Sequence, residues 1–155
     1  MKLNNLYLKK REEKRLLAGH LWIYSNEVDT EKSPLKNFSA GECVNLVSTT
    51  GNILGSAYIN PHSLIVARKY TEKANQVLDA EFIKARISTA LALRESLFSD
   101  PCYRLVFSEG DYLPGLIIDR FDSTFVLQIN TAGMEAVKDV ILAVLEELFS
   151  PQTIV

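Results

Sequence analysis

The chain has few of the residues on which small catalytic or metal centres are built. It holds two cysteines, two histidines and one tryptophan in 155 residues. Cys43 and Cys102 stand too far apart for a metal or redox motif, which points to idle thiols in a reducing cytoplasm. His20 and His62 are also far apart and have no acidic neighbour in sequence, which argues against a histidine-based catalytic centre or a metal site. No apolar run approaches the roughly 20 residues that a membrane span needs. The N-terminal MKLNNLYLKKREEKR has no apolar stretch behind its basic residues, so neither an anchor nor a secretory leader is expected. No GxGxxG follows a strand pattern and no GxxxxGK[ST] occurs, so no nucleotide-binding loop is legible. No serine or cysteine stands in a nucleophile elbow, and there is no repeat or low-complexity tract.

What remains is ordinary globular composition, 47% hydrophobic and 23% charged, in a chain long enough for one domain or two small ones. The net charge of −2 is unevenly spread. Residues 1–20 carry six Lys or Arg against Glu12 and Glu13, whereas residues 21–155 carry eleven basic and seventeen acidic side chains. A basic end on an acidic chain suits an anionic partner at that end, or simply a solvated helix face.

The first seventy residues read as β-rich. Leu3 to Leu8 alternates as a half-buried strand does. Arg11 to Ala18 is rich in helix formers, with Leu16-Leu17 as its apolar face and Gly19 at its end. LWIY (21–24), GECVNLVS (41–48), Ile53 to Ile59 and Ser63 to Tyr70 read as strands separated by turn residues, the pattern of a small barrel. On the expected helix, Lys10 and Lys14 share one face and Arg11 and Arg15 the next. Such mobile cations on a convex surface suit phosphate contact. His20 and Trp22 follow closely; Trp22 suits either a core position or stacking on an unpaired base. Arg68 and Lys69 alternate faces at the end of the last barrel strand, so at most one joins the basic surface.

Residues 71–78 are polar and read as a linker, which places a barrel at 1–70 and a second domain at 79–155. Asp79 suits an N-cap, and Ile83, Ile87, Ala90, Leu91, Leu97 and Phe98 recur at helical spacing until Asp100-Pro101. Strands are expected at 103–108, 116–121 and 124–131, then a helix over 133–149, then a last strand from Thr153. Glu109 and Asp111 sit at a turn, where carboxylates are ordinarily solvated or bonded to turn amides. A hydrolase would need them with Asp119 in one pocket. Asp119 and Arg120 are strand neighbours, so they face opposite ways, and each needs a partner elsewhere, such as a carboxylate or, less expected, an RNA phosphate for Arg120.

Two blocks carry a family resemblance. KKREEKRLLAGHLWIYSNEV with GECVNLVSTTGNILGSAYINPHSLIVARKY resembles the PUA domain that opens the large-subunit rRNA cytosine-C5 methyltransferases. YRLVFSEGDYLPGLIIDRF with STFVLQINTAGME is similar to the α/β domain that follows it in that family. The resemblance implies an α+β fold: a small PUA-like β-barrel, then an α/β domain of helix, hairpin, strand and helix, cut before a Rossmann-type methyltransferase domain. It implies the RNA-recognition half of an enzyme that uses S-adenosylmethionine, with neither catalytic nor cofactor-binding residues in this chain. Cys102 follows a proline, but outside the methyltransferase context in which the family's nucleophile stands. The RNA-binding candidates are Lys10, Arg11, Lys14, Arg15, His20, Trp22 and Arg68. The implied partner is structured RNA, in particular large-subunit rRNA; no membrane is implied, and a homodimer stays open. The alternative is a free-standing RNA- or protein-binding module without enzymatic activity.

Overall fold

In the computed structural model, which describes all residues from Met1 to Val155, the chain divides into two units, Met1–Val77 and Leu78–Val155. The first unit contains β1 (Asn4–Tyr7), helix α1 (Glu13–Leu17), β2 (Trp22–Tyr24), β3 (Cys43–Val47), β4 (Ile53–Ile59) and β5 (Ile65–Thr71). Its sheet runs β1-β3-β4-β5-β2. β3, β4 and β5 form an antiparallel meander, and β1 lies parallel to β3. The two ends of the sheet then meet. The Lys9 amide donates to the Glu27 carbonyl and the Asp29 amide to the Tyr7 carbonyl, each at 2.9 Å, so the chain after β2 is tied to β1. This closes the barrel and removes its exposed edges. Alternate residues of the strands (Leu6, Ile23, Val44, Leu46, Ala57, Ile59) are withdrawn from water into one core.

At Gly55 the backbone has φ +134°, and a Cβ there would lie 2.1 Å from the Thr71 carbonyl oxygen. The β4–β5 register shifts at this point, between Ser56 and Ala57, and only glycine permits so close an approach.

Residues expected as a linker are fastened to the barrel instead. Asn45, buried on β3, donates through Nδ2 to Asn75 Oδ1 (2.9 Å) and accepts at Oδ1 from the Asn75 amide (2.8 Å). The Ser56 hydroxyl donates to the Lys73 carbonyl and accepts from the Gln76 amide. The Leu3 amide also donates to Asn75 Oδ1. The segment is polar because its side chains and amides satisfy buried polar groups of the barrel, which is indistinguishable in composition from solvation.

The second unit opens with α2 (Ala80–Leu97), whose N-cap Asp79 accepts from the Phe82 amide at 2.8 Å. β6 (Cys102–Phe107), β7 (Leu116–Phe121) and β8 (Thr124–Ile129) form an antiparallel meander, and β9 (Thr153–Ile154) adds parallel to β8. The expected second helix is two: α3 (Ala132–Ala136) and α4 (Lys138–Phe149), broken at Val137 (φ −114°). α2 and α4 cover one face of the sheet. Tyr103, Ile118 and Phe125 point inward to Ile83, Ile87, Ile141, Val144 and Leu145, all buried. The apolar stripe of α2 ends sooner than its spacing suggests: Leu97 and Phe98 are 67% and 51% exposed. The other sheet face carries Cys102, Arg104 and Phe107 on β6 beside Phe121, Asp119 and Ile117 on β7. No helix is long and apolar enough to cross a membrane.

Candidate nucleic-acid interface

The basic segment folds differently from its helical expectation. Arg11 has φ +74°, a left-handed conformation that interrupts an α-helix, and α1 begins only at Glu13. Lys10 and Arg11 therefore stand on the turn before the helix, and the paired faces of Lys10 with Lys14 and Arg11 with Arg15 do not form. Lys10, Arg11 and Lys14 remain exposed, and so does Lys9, which the helical pattern did not single out. Of the two leucines assigned to the inward face, Leu16 is buried and Leu17 is 73% exposed. A five-residue helix has room for only one inward position. Gly19, at φ +98°, ends the turn as expected.

Arg15 is engaged by partners within the barrel. Its Nη1 lies 2.8 Å from Oε1 of Glu27, and its guanidinium lies 5.2 Å from the centre of the Tyr24 ring. Glu27 is buried, and its other oxygen accepts from the Tyr24 amide at 2.6 Å. The cluster locks α1 to the end of β2. Twelve positions separate Arg15 from Glu27, beyond the reach of any local spacing rule.

Trp22 is not a core residue. It lies on β2, directly across from Arg68 on β5, and is 37% exposed. The Arg68 guanidinium sits 5.0 Å from its ring centre. The arrangement is a cation–π contact between an indole and a guanidinium at the surface. Lys69, the next residue, faces the other way: it is 2% exposed, and its Nζ bonds Glu72 at 2.5 Å. His20 is exposed between α1 and β2, its amide bonded to the Arg15 carbonyl. The first unit thus brings together Trp22 with Arg68, and Arg15 with Tyr24 and Glu27.

The carboxylates of the second unit do not form an acid–base site. Asp111 accepts from both terminal nitrogens of Arg94 at 2.7 Å and from the Phe107 amide at 2.6 Å, with its side chain 8% exposed. It is bonded to an amide at the turn, as expected of a turn carboxylate, and is in addition a largely buried ion-pair partner. Asp119 pairs with Arg104 on the neighbouring strand, at 2.8 and 3.1 Å. Its hydrogen bond, and then its charge, raise the Arg104 guanidinium above its ordinary pKa. Glu109 takes a bond from the Ser108 hydroxyl. The groove beside β6 takes in Asp119 but neither Glu109 nor Asp111. Arg120 finds no carboxylate; it bonds the Tyr103 hydroxyl (3.0 Å) and lies over the rings of Tyr103, Phe125 and Phe149. Three or more His, Cys, Asp or Glu side chains are nowhere grouped as metal ligands.

Residues 6–72 match the model of a known domain family, the PUA-like domain. The chain as a whole is similar to proteins named ribosomal RNA large subunit methyltransferase I. It is 37% identical to that of Tolumonas auensis over 147 residues, 93% of this chain and 36% of the relative. It is 34% identical to that of Aliivibrio fischeri over 148 residues, 94% of this chain and 37% of the relative. It therefore spans little more than a third of the length of these relatives. In fold it resembles a protein of Streptococcus mutans described as a SAM-dependent methyltransferase, with TM-score 0.79 and 20% identity over 96% of this chain and 39% of the other. A second structure, described as a methyltransferase complexed with SAH, gives TM-score 0.78 at 19% identity over 96% of this chain and 38% of the other. The expected α+β fold, a PUA-like barrel followed by an α/β domain, is the observed one.

Proposed function

We propose that this chain is the RNA-recognition region of an S-adenosylmethionine-dependent large-subunit rRNA methyltransferase acting on C5 of cytosine. The observation that carries the reading is the similarity over 93% of the chain to proteins named for large-subunit rRNA methylation. The PUA-like domain supplies the RNA contact. Lys10, Arg11 and Lys14 are exposed cations for phosphate, and the Trp22–Arg68 stack receives an unpaired base. His20 lies between these two groups in sequence and joins them as a polar contact. Arg15 serves indirectly, by holding α1 on the barrel through Glu27.

The residues of this chain do not fit S-adenosylmethionine. The turn from β8 into α3 is the one place where a strand runs into a helix and returns to a parallel strand, and its only glycine, Gly133, is buried inside α3. No glycine-lined loop is left there to cradle a nucleoside. No step of methyl transfer is assigned to these residues.

The test is binding of an rRNA fragment to this chain at two salt concentrations, with a DNA duplex as competitor. Binding is expected to prefer the RNA and to weaken as salt rises. Replacing Lys10, Arg11 and Lys14 together by Gln should flatten the salt dependence, lowering the slope of log K against log salt by about 2. Trp22→Ala should weaken binding at both salts and leave the slope unchanged. An unchanged slope in the triple variant refutes the assignment of these cations to phosphate.

A further inference from the structure

The outer face of β2 carries a second aromatic ring that the RNA reading leaves unused. Trp22 and Tyr24 are two residues apart on the strand, and Ile23 between them is buried in the barrel core, so both rings point out of the barrel. Pairing with β5 keeps them there. Ile23 lies across from Ala67 and Tyr24 across from Ile65, and the extra residue, Val66, joins Ala67 in the core. Each ring has a guanidinium beside it. That of Arg68, from β5, lies 5.0 Å from the centre of the Trp22 ring. That of Arg15, from α1, lies 5.2 Å from the centre of the Tyr24 ring. Trp22 is exposed and Tyr24 half-buried.

The spacing decides what such a face takes up. At a rise of about 3.4 Å per residue, two positions on one face of a strand lie about 6.8 Å apart. Consecutive bases of a stacked strand lie about 3.4 Å apart, half that distance. A strand stacked as in a duplex therefore cannot set neighbouring bases on both rings. Two consecutive unpaired nucleotides can, once they are unstacked from each other, and the rings replace the base–base contact that is lost. Charge agrees with this occupant. The Arg15 contact holds α1 at the Tyr24 end of the strand, and the exposed Lys14 is the next residue on that helix, so a cation for the backbone phosphate stands beside the second ring.

We infer that the outer face of β2 is a two-base platform, on which Trp22 and Tyr24 each stack one of two consecutive unpaired nucleotides of a bulge or loop. The inference rests on the RNA reading of the first unit and narrows it to an unpaired dinucleotide step. The platform tolerates any base, because every base has a π-face. Tyr24 is then a binding residue, and Arg15 backs its ring while staying bonded to Glu27.

The experiment is titration of the 155-residue chain against an RNA duplex that carries a central bulge of no, one, two or three uridines. Affinity is expected to rise with the first unpaired uridine and again with the second, each time by at least about fivefold, and to level off at the third. Tyr24→Leu should bring the two-uridine bulge down to the affinity of the one-uridine bulge, whereas Tyr24→Phe, which keeps the ring, should not. 2-Aminopurine in place of either bulged uridine separates stacking from a merely structural role, since its emission falls when it stacks. The wild-type chain should quench it at both positions. One position should stay bright with Tyr24→Leu and the other with Trp22→Leu. Circular dichroism confirms that each variant is folded, and the wild-type series stands without any variant. A chain that binds all four RNAs alike, with salt-sensitive affinity, overturns the platform and leaves the RNA reading in place. So does a gain that stops at the first uridine. A chain that binds none of them at low salt overturns both.

Discussion

Loss of Asp111 should destabilise the second unit while sparing the first. Asp111 accepts three hydrogen bonds: two from Arg94 at 2.7 Å and one from the Phe107 amide at 2.6 Å. The two charged side chains are 8% and 13% exposed. Each group has given up most of its water, and each depends on the other in exchange. Asp111→Ala leaves a guanidinium largely desolvated without a counter-charge, and it orphans the amide at the end of β6. Breaking one side of a buried pair costs about 3–5 kcal/mol, within which the lost amide bond accounts for about 1–3. Replacing both partners by apolar residues of similar volume, Arg94→Met with Asp111→Leu, should cost clearly less than Asp111→Ala, since no charge is then stranded. The readout follows from composition. Trp22 is the only tryptophan and lies in the first unit, whereas α2 and α4 of the second unit hold most of the helix. Urea unfolding followed at once by tryptophan emission and by helical circular dichroism separates the units. The helical transition should move to lower urea in Asp111→Ala while the tryptophan transition stays in place. A loss below about 1 kcal/mol, the range of exposed ion pairs, would refute the buried-pair reading, as would an equal loss in the double variant.

Two further outcomes are expected. Gly55→Ala should destabilise the first unit by at least about 2 kcal/mol, because the added Cβ meets the Thr71 carbonyl at 2.1 Å and φ is +134°; a tryptophan-monitored melt within about 0.5 kcal/mol of wild type would contradict this. Arg15→Ala should lower first-unit stability by leaving the buried Glu27 without its guanidinium, and it should change the salt slope of RNA binding less than Lys14→Gln does, which a paired melt and titration would check.

Several features of this fold follow from local chemistry and need no knowledge of the tertiary structure. Alternation gave the strands of the barrel, Gly19 ended the first turn at positive φ, and Asp79 capped α2 where an acidic residue precedes an apolar period. The opposite orientations of Asp119 and Arg120 are fixed by the two-residue period of a strand, and the barrel-then-α/β order was readable from the change of pattern near residue 71. Other features depend on contacts between residues far apart in the chain, and no spacing rule reaches them. Arg15 looks like its basic neighbours until Glu27 and Tyr24 are folded against it, and Trp22 looks like a core residue until β2 is seen to pair with β5 and to place Arg68 over the ring. Asp111 reads as a turn carboxylate until Arg94 reaches it across 17 positions, and residues 71–78 read as a linker until Asn45 and Ser56 take polar groups of that segment. In each case the side chain permits two environments of similar local energy, and desolvation by distant residues selects between them.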